Sequence, residues 1–302
     1  MLSLAQVYGA VSSGLIFALV AFAIYLSFRV LDFPDLTVDG SFPLGAGVAA
    51  VVITAGYNPW LACLAGFAAG MLAGCVTALL HVRWGIMNLL SSILVMTALY
   101  SINLRVMGAP NISLYGSQTI LTGYDMPLAV LKIWVFLAVI VVVLSALWWF
   151  MHTEIGLAMR ATGANPSMAR AQGINAPLMI ILGIALSNGL VGLAGSLMAQ
   201  NQSYADAQMG VGTIVVGLAA LIGGEAVLSP KSILRALLAC VLGAILYRLA
   251  IALALNAKWL GLKTQDFSLV TAMLVTCAIV LSDARRKWKT KSQVKASDGG
   301  EK

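Results

Sequence analysis

The chain is a succession of long apolar runs separated by short polar stretches, and that pattern leaves few folds open. Nine runs can be read, near residues 7–28, 41–56, 60–81, 86–106, 131–150, 176–199, 211–228, 233–256 and 267–283. About 20 apolar residues in a helix cross the hydrocarbon layer of a bilayer. Hydrophobic residues make up 61% of the 302 and charged residues 10%. Soluble domains carry roughly 25% charged residues. Mean hydropathy is +0.95. A soluble chain of this size has no way to hide so much apolar surface. The fold expected is therefore all-α: a polytopic membrane protein with about nine transmembrane helices, eight to ten on length alone. Residues 1–283 form this membrane domain and 284–302 a basic tail. The second and seventh runs are short, and each follows a polar stretch rich in Gly, Pro or Asp.

A net charge of +7 raises nucleic acid as a partner, but the cations do not cluster on a folded domain. Seven of the 18 Lys and Arg follow Asp283, from Arg285 to Lys302. A basic tail just beyond a span is an orientation signal and a head-group contact. With that tail in the cytoplasm, nine spans put the N-terminus outside. Arg29, Arg83, Arg160, Arg170, Lys231 and Arg235 then fall inside, against Arg105, Lys132, Lys258 and Lys263 outside or at the rim. The first cation is Arg29, so the opening run lacks the basic flank of a signal peptide and reads as a retained span. Cys63, Cys75, Cys240 and Cys277 lie in apolar runs without ligand spacing, as packing residues do.

An internal echo is visible. Gly14-Leu15 opens a run that ends in an acidic turn and then Gly40, Gly45 and Gly47. Gly189-Leu190 opens another, followed by Asp206 and then Gly210, Gly212 and Gly217. The two copies run in opposite directions, as in transporters built from inverted repeats. A Gly-rich membrane chain also produces such echoes by coincidence.

Between the fifth and sixth runs lies a polar, helical insert, Met151 to Asn175. Glu154 and Arg160 are polar, and Ile155, Leu157, Ala158, Met159 and Ala161 supply an apolar side. Gly163 is expected to end a first short helix in a left-handed cap. Asn165-Pro166 is an N-cap and first-turn pair for a second helix, which carries Arg170 and stops at Gly173. Capped helices suit a shaped docking surface; an interfacial helix in the head groups is the alternative. A second polar stretch runs from Asp32 to Ser41. Asp35 and Asp39 are four apart, Pro34 fixes the chain before them and Gly40 releases it. Carboxylates beside a short helix suit the edge of a solute cavity, or a solvated turn. On the fourth run, Asn88, Ser92, Met96 and Asn103 fall near one helical face. They suit either a wet path for a small polar solute or helix–helix packing.

Gly156, Arg160-Ala161, Gly163, Asn165, Ala169, Ala171 and Gly173-Ile174 resemble the coupling-helix loop of bacterial ABC importer permeases. The likeness is to the branch serving branched-chain amino acids, ribose and related solutes. The resemblance implies a loop that docks into the ATPase and assigns that coupling to Glu154, Gly156, Arg160, Gly163, Asn165, Arg170 and Gly173. Asp35-Leu36-Thr37-Val38-Asp39-Gly40 is similar to the Asp-Leu-Ser-Val-Gly segment of the sugar permeases of that branch. Here Thr37 replaces Ser, and Asp39 stands before the Gly. Order and length, with Leu31 to Phe42 and Ala185 to Leu190, are similar to a subfamily of tryptophan/tyrosine transport permeases. No residue pattern selects an aromatic solute.

The chain has no Gly-Lys dipeptide, hence no Walker A loop. His81 and His152 stand at span ends without a metal cluster. No nucleophile elbow occurs. The expectation is a permease subunit and not an enzyme, with no cofactor, catalytic residue or metal. The resemblance implies a cytoplasmic ABC ATPase, a periplasmic or lipid-anchored solute-binding protein and a second permease copy, in a bacterial inner membrane with the C-terminus cytoplasmic. Asp35, Asp39, Ser41, Asn88, Ser92, Met96 and Asn103 are candidates for the solute path. The alternative is a self-sufficient secondary transporter. Such proteins place ion-coupling charges mid-span, where this chain offers only Glu225 and Arg248.

Overall fold

The computed structural model describes residues 4–122, 127–256 and 276. The chain runs through α1 (Leu4–Ile24), a π-helical turn (Tyr25–Val30), α2 (Val38–Thr54), α3 (Pro59–Trp84), α4 (Asn88–Met107), β1 (Asn111–Ser113) and α5 (Leu128–His152). It continues with α6 (Glu154–Ala164), α7 (Pro166–Ala171), α8 (Ala176–Gln202), β2 (Tyr204–Asp206), α9 (Thr213–Val227) and α10 (Ile233–Asn256). Six helical stretches are long and apolar enough to cross a membrane, and α2 and α9 are shorter apolar helices. These eight correspond to the first eight apolar runs. The ninth run, Cys277, Lys258, Lys263 and the basic tail lie outside the described residues. The one departure from helix is a short antiparallel ribbon, β1 with β2, pairing Ile112 with Ala205. It ties the connector after α4 to the connector after α8.

Glycine sets the closeness of the bundle. Gly66, Gly70 and Gly74 form a stripe along α3 where it crosses α8. A Cβ on Gly70 would stand 2.2 Å from the Asn188 carbonyl oxygen, and one on Gly74 2.4 Å from that of Ile184. α2 joins the same crossing, since a Cβ on Gly45 would meet the Gly192 oxygen at 2.1 Å. Without a hydrophobic drive between helices in lipid, such backbone approach supplies the packing. Gly224 against Ala239 and Gly243 against Ala220 repeat the device between α9 and α10.

α1 is the central helix, most of its length buried. It runs antiparallel to α8: Ser187 Oγ donates to the Ala23 carbonyl at 2.8 Å, and Gly183 meets Leu31. α2 runs alongside α8 in the same direction, from Ser41 at Asn188 to Gly45 at Gly192. α9 follows α1 likewise, from Gly217 at Val20 and Ile24 to Glu225 at Arg29. α2 and α9 therefore point in opposite directions. Asn188 is half-way along α8, so α2 starts inside the bundle and not at its end. α9 starts at the same depth, because Asp39 accepts from Gly212 N at 3.1 Å and Ile214 N at 2.8 Å. The positive ends of both short helices converge on one carboxylate, which helix dipoles favour.

Candidate functional site

Two regions collect the polar residues. The first is the connector from Asp32 to Ser41. Asp32 stands at φ 52, a left-handed conformation that Asp tolerates, and turns the chain back into the bundle. Asp32 is exposed, as a solvated turn residue is, but Asp35 is fully buried. Asp35 Oδ1 accepts from Thr37 N at 2.9 Å, and its Oδ2 from Asn188 Nδ2 at 2.6 Å. Asn188 Oδ1 accepts from Ser41 Oγ at 2.7 Å, and the Thr37 and Thr77 hydroxyls pair at 2.8 Å. This network joins the connector, α2, α3 and α8. In a bilayer, such groups are tolerated when they satisfy one another.

Of the path candidates, Asp35, Asp39 and Ser41 all spend their side chains on bonds inside the protomer. Asn103 does the same: its Nδ2 donates to the Gly40 carbonyl at 3.2 Å. Ser92 is buried and bonded to Leu89 O, and Met96 flanks Gly40. Their face of α4 is thus turned to α2, and Asn88 opens the helix half-buried at its end. The exposed side of α4 carries other polar residues, Thr97, Tyr100 and Ser101. Asn188 and Thr77 are the residues that sequence reasoning missed. A lone Asn in the middle of an apolar run was the signal.

The second region is the loop of α6 and α7. Thr153 Oγ1 accepts from Gly156 N at 3.3 Å and caps α6, whose first residue is the exposed Glu154. Asn165 Oδ1 accepts from Ser167 N and Met168 N, and Pro166 follows it, as expected. Gly173 has φ +83 and ends the insert. Gly163 is a correction. It does not form a left-handed cap; it lies within α6, which runs on to Ala164. Its role is close approach, since a Cβ there would stand 1.8 Å from the Val30 carbonyl oxygen and 2.8 Å from Leu31 Cα. Gly156 sits as tightly, with a Cβ position 2.3 Å from the Phe150 oxygen. Gly156, Met159 and Thr162 are buried beneath α6, while Ile155, Leu157 and Met168 stay exposed. Arg170 is exposed, with Nε donating to the Pro166 carbonyl. Arg160 turns partly inward: its Nε is buried and has no hydrogen-bond partner among the described residues.

The segment on which Gly163 rests is the π-helical turn. Ser27 Oγ bonds back to the Ala23 and Ile24 carbonyls, a habit that bends helices. Arg29 pairs with Glu225, Nε to Oε1 at 3.0 Å, at the end of α9. A route of direct contacts thus runs from α6 through Val30 and Leu31 to the Asp35–Asn188 network.

Residues 7–282 match the family model of the branched-chain amino acid transport system permease component. The chain belongs to that family. It is a multi-pass membrane component of the ABC transporter permease class, and not an enzyme. It is 37% identical to the tyrosine transport system permease protein of Clostridioides difficile over 87% of each chain. It is 24% identical to the ribose import permease protein RbsC of Escherichia coli, over 83% of this chain and 78% of that one. PsaBC from Streptococcus pneumoniae, solved with a Fab, shares the fold at a TM-score of 0.53 and 14% identity, over 95% of this chain and 94% of that one.

Proposed function

We propose that this permease imports a small polar solute, an amino acid, on energy drawn from a separate cytoplasmic ABC ATPase. The observation that carries this reading is the seating of α6 on Val30 through Gly163, which leaves Ile155, Leu157, Met168 and Arg170 turned outward. A loop needing only solubility has no reason to press its backbone onto a span. Glu154, Gly156, Arg160, Gly163, Asn165, Arg170 and Gly173 shape and anchor this docking element. The 37% identity with a tyrosine permease supports an amino acid as solute.

The assembly that goes with this reading is a dimer of this chain, with an external solute-binding protein at the end opposite α6. The exposed Thr97, Tyr100 and Ser101 on α4 support a wet face turned to the second copy, because hydroxyls facing lipid are disfavoured. Asp35, Asp39, Ser41, Ser92 and Asn103 brace that wall from behind, with Asn88 and Met96 at its margin. The α6–α7 end and the basic tail are cytoplasmic, in a bacterial inner membrane. Nine spans include an inverted repeat of α1–α3 and α8–α10. Its support is a matching of neighbours: α3 packs on α8 as α10 packs on α1, α2 on α8 as α9 on α1, and α2 on α3 as α9 on α10.

The test is solute uptake by cells carrying Gly163→Val or Met168→Asp, with the partner ATPase co-expressed. Uptake should fall by at least about tenfold in each at equal membrane abundance, as a shift of α6 or loss of an apolar anchor implies. ATPase subunits should co-purify poorly with both. Wild-type uptake in both variants would overturn the docking role and restore the secondary-transporter alternative.

A further inference from the structure

At the end of the bundle opposite the α6–α7 loop, the start of α1, the start of α5 and the last turn of α8 enclose a cavity of about 370 Å³. Tyr8, Ser12, Ser13, Lys132 and Asn201 bring polar groups to its wall, and Leu128 and Ala129 bring the first turn of α5. Lys132 Nζ donates to the Asn201 carbonyl at 2.9 Å. Among the described residues no carboxylate pairs with this lysine. No side chain caps the N-terminus of α5. Asn201 Oδ1 is buried and has no hydrogen-bond partner among the described residues.

These features make two separate demands. An ammonium beside an uncapped helix N-terminus attracts an anion. A buried amide oxygen without a partner calls for a donor, since leaving it unmet is costly. A simple anion satisfies the first demand and leaves the second open. A simple cation would meet the second and be repelled by Lys132. A zwitterion meets both at once. Leu4, Tyr8, Leu128 and Trp134 are exposed around the same level of the bundle. Amphipathic rings at a span end mark the head-group layer.

We propose that this cavity binds a zwitterionic head group. Its anionic oxygens lie on Lys132 and the first amides of α5, and its primary ammonium donates to Asn201 Oδ1. Two sources carry that chemistry, phosphatidylethanolamine and a free α-amino acid. The site is remote from the α6–α7 loop and its test needs no ATPase, so its failure leaves the importer reading untouched.

The experiment uses the full chain in detergent, with short-chain phosphatidylethanolamine, phosphatidylcholine of the same chains, and L-tyrosine as probes. Binding is read by native mass spectrometry and by the shift in thermal midpoint. Phosphatidylethanolamine, which has N–H donors, should bind about tenfold more tightly than phosphatidylcholine, which has none. Asn201→Leu should abolish that preference. Lys132→Gln should weaken binding by about tenfold, and Lys132→Arg should restore it, which separates loss of the charge from loss of the fold. Tyrosine that displaces the lipid identifies an amino acid as a natural occupant; lipid binding without tyrosine binding identifies the membrane as the source. Equal binding of the two lipids without tyrosine binding, or unchanged affinity in both Asn201→Leu and Lys132→Gln, overturns the proposal.

Discussion

α2 and α9 leave Asp39 in opposite directions, and the surroundings each enters differ. α2 is held by side-chain bonds from three helices: Ser41 to Asn188, Ser196 to the Gly45 carbonyl, and Asn103 to the Gly40 carbonyl. Its backbone also lies against that of α8 at Gly45 and Gly192. α9 has the Asp39 carboxylate at its start and Arg29 at its end. Between these its contacts are apolar, Gly217 against Val20 and Ile24, and Gly224 against Ala239. Polar bonds have direction and a short range, whereas apolar contacts tolerate sliding. α2 is therefore the fixed member of the pair and α9 the one free to shift along its neighbours. The Arg29–Glu225 pair places the moving end beside Val30, where α6 rests.

The comparison can be broken most directly at Asn188. Asn188→Leu removes the donor to Asp35 and the acceptor of Ser41, and leaves a buried carboxylate short of a partner. The loss of stability should be about 2–4 kcal/mol, read as a lowered midpoint in thermal unfolding of the detergent-solubilised protein. A midpoint equal to wild type would mean that the network does not hold α2. Asp39→Asn is the intermediate case. It keeps an oxygen for one amide and removes the charge at two helix ends, so about 1 kcal/mol is expected. Protease accessibility near Gly212 should rise more than that near Ser41. Equal change at both would remove the distinction between the two helices. Glu225→Gln should have the smallest effect, below about 0.5 kcal/mol, because Arg29 is 54% exposed and such pairs are screened. A drop in uptake without a drop in stability would assign this pair to movement.

How much of this was written in the chain depends on the distance over which each feature is made. Asn165-Pro166 and Gly173 are local devices, and the sequence identifies both. Gly163 looked the same as Gly173 in sequence, yet its reason is the Val30 carbonyl, far away along the chain. The first eight apolar runs coincide with eight helices because hydropathy is a property of each segment alone. Depth is not such a property. Nothing near Asp39 indicates that it caps a helix beginning 173 residues later at Gly212. The polar face of α4 was found by its spacing, but spacing does not say which side meets α2. The glycine stripe of α3 was present at intervals of four residues and was passed over, since a stripe without its partner helix names no contact.

The π-helical turn at Tyr25–Val30 has a bearing on how this chain can vary. A wide turn holds one residue more than a regular helix needs, in effect an insertion stored inside a span. Removing any one residue there would restore an α-helix and rotate everything after it by about 100° relative to α1. Arg29 would leave Glu225, and Val30 would no longer meet Gly163 or aim the connector at Asn188. Substitutions can accumulate in this segment as long as its residue count stays fixed. Among functional relatives of this chain, insertions and deletions should be absent between Tyr25 and Val30, even where side chains there are exchanged freely.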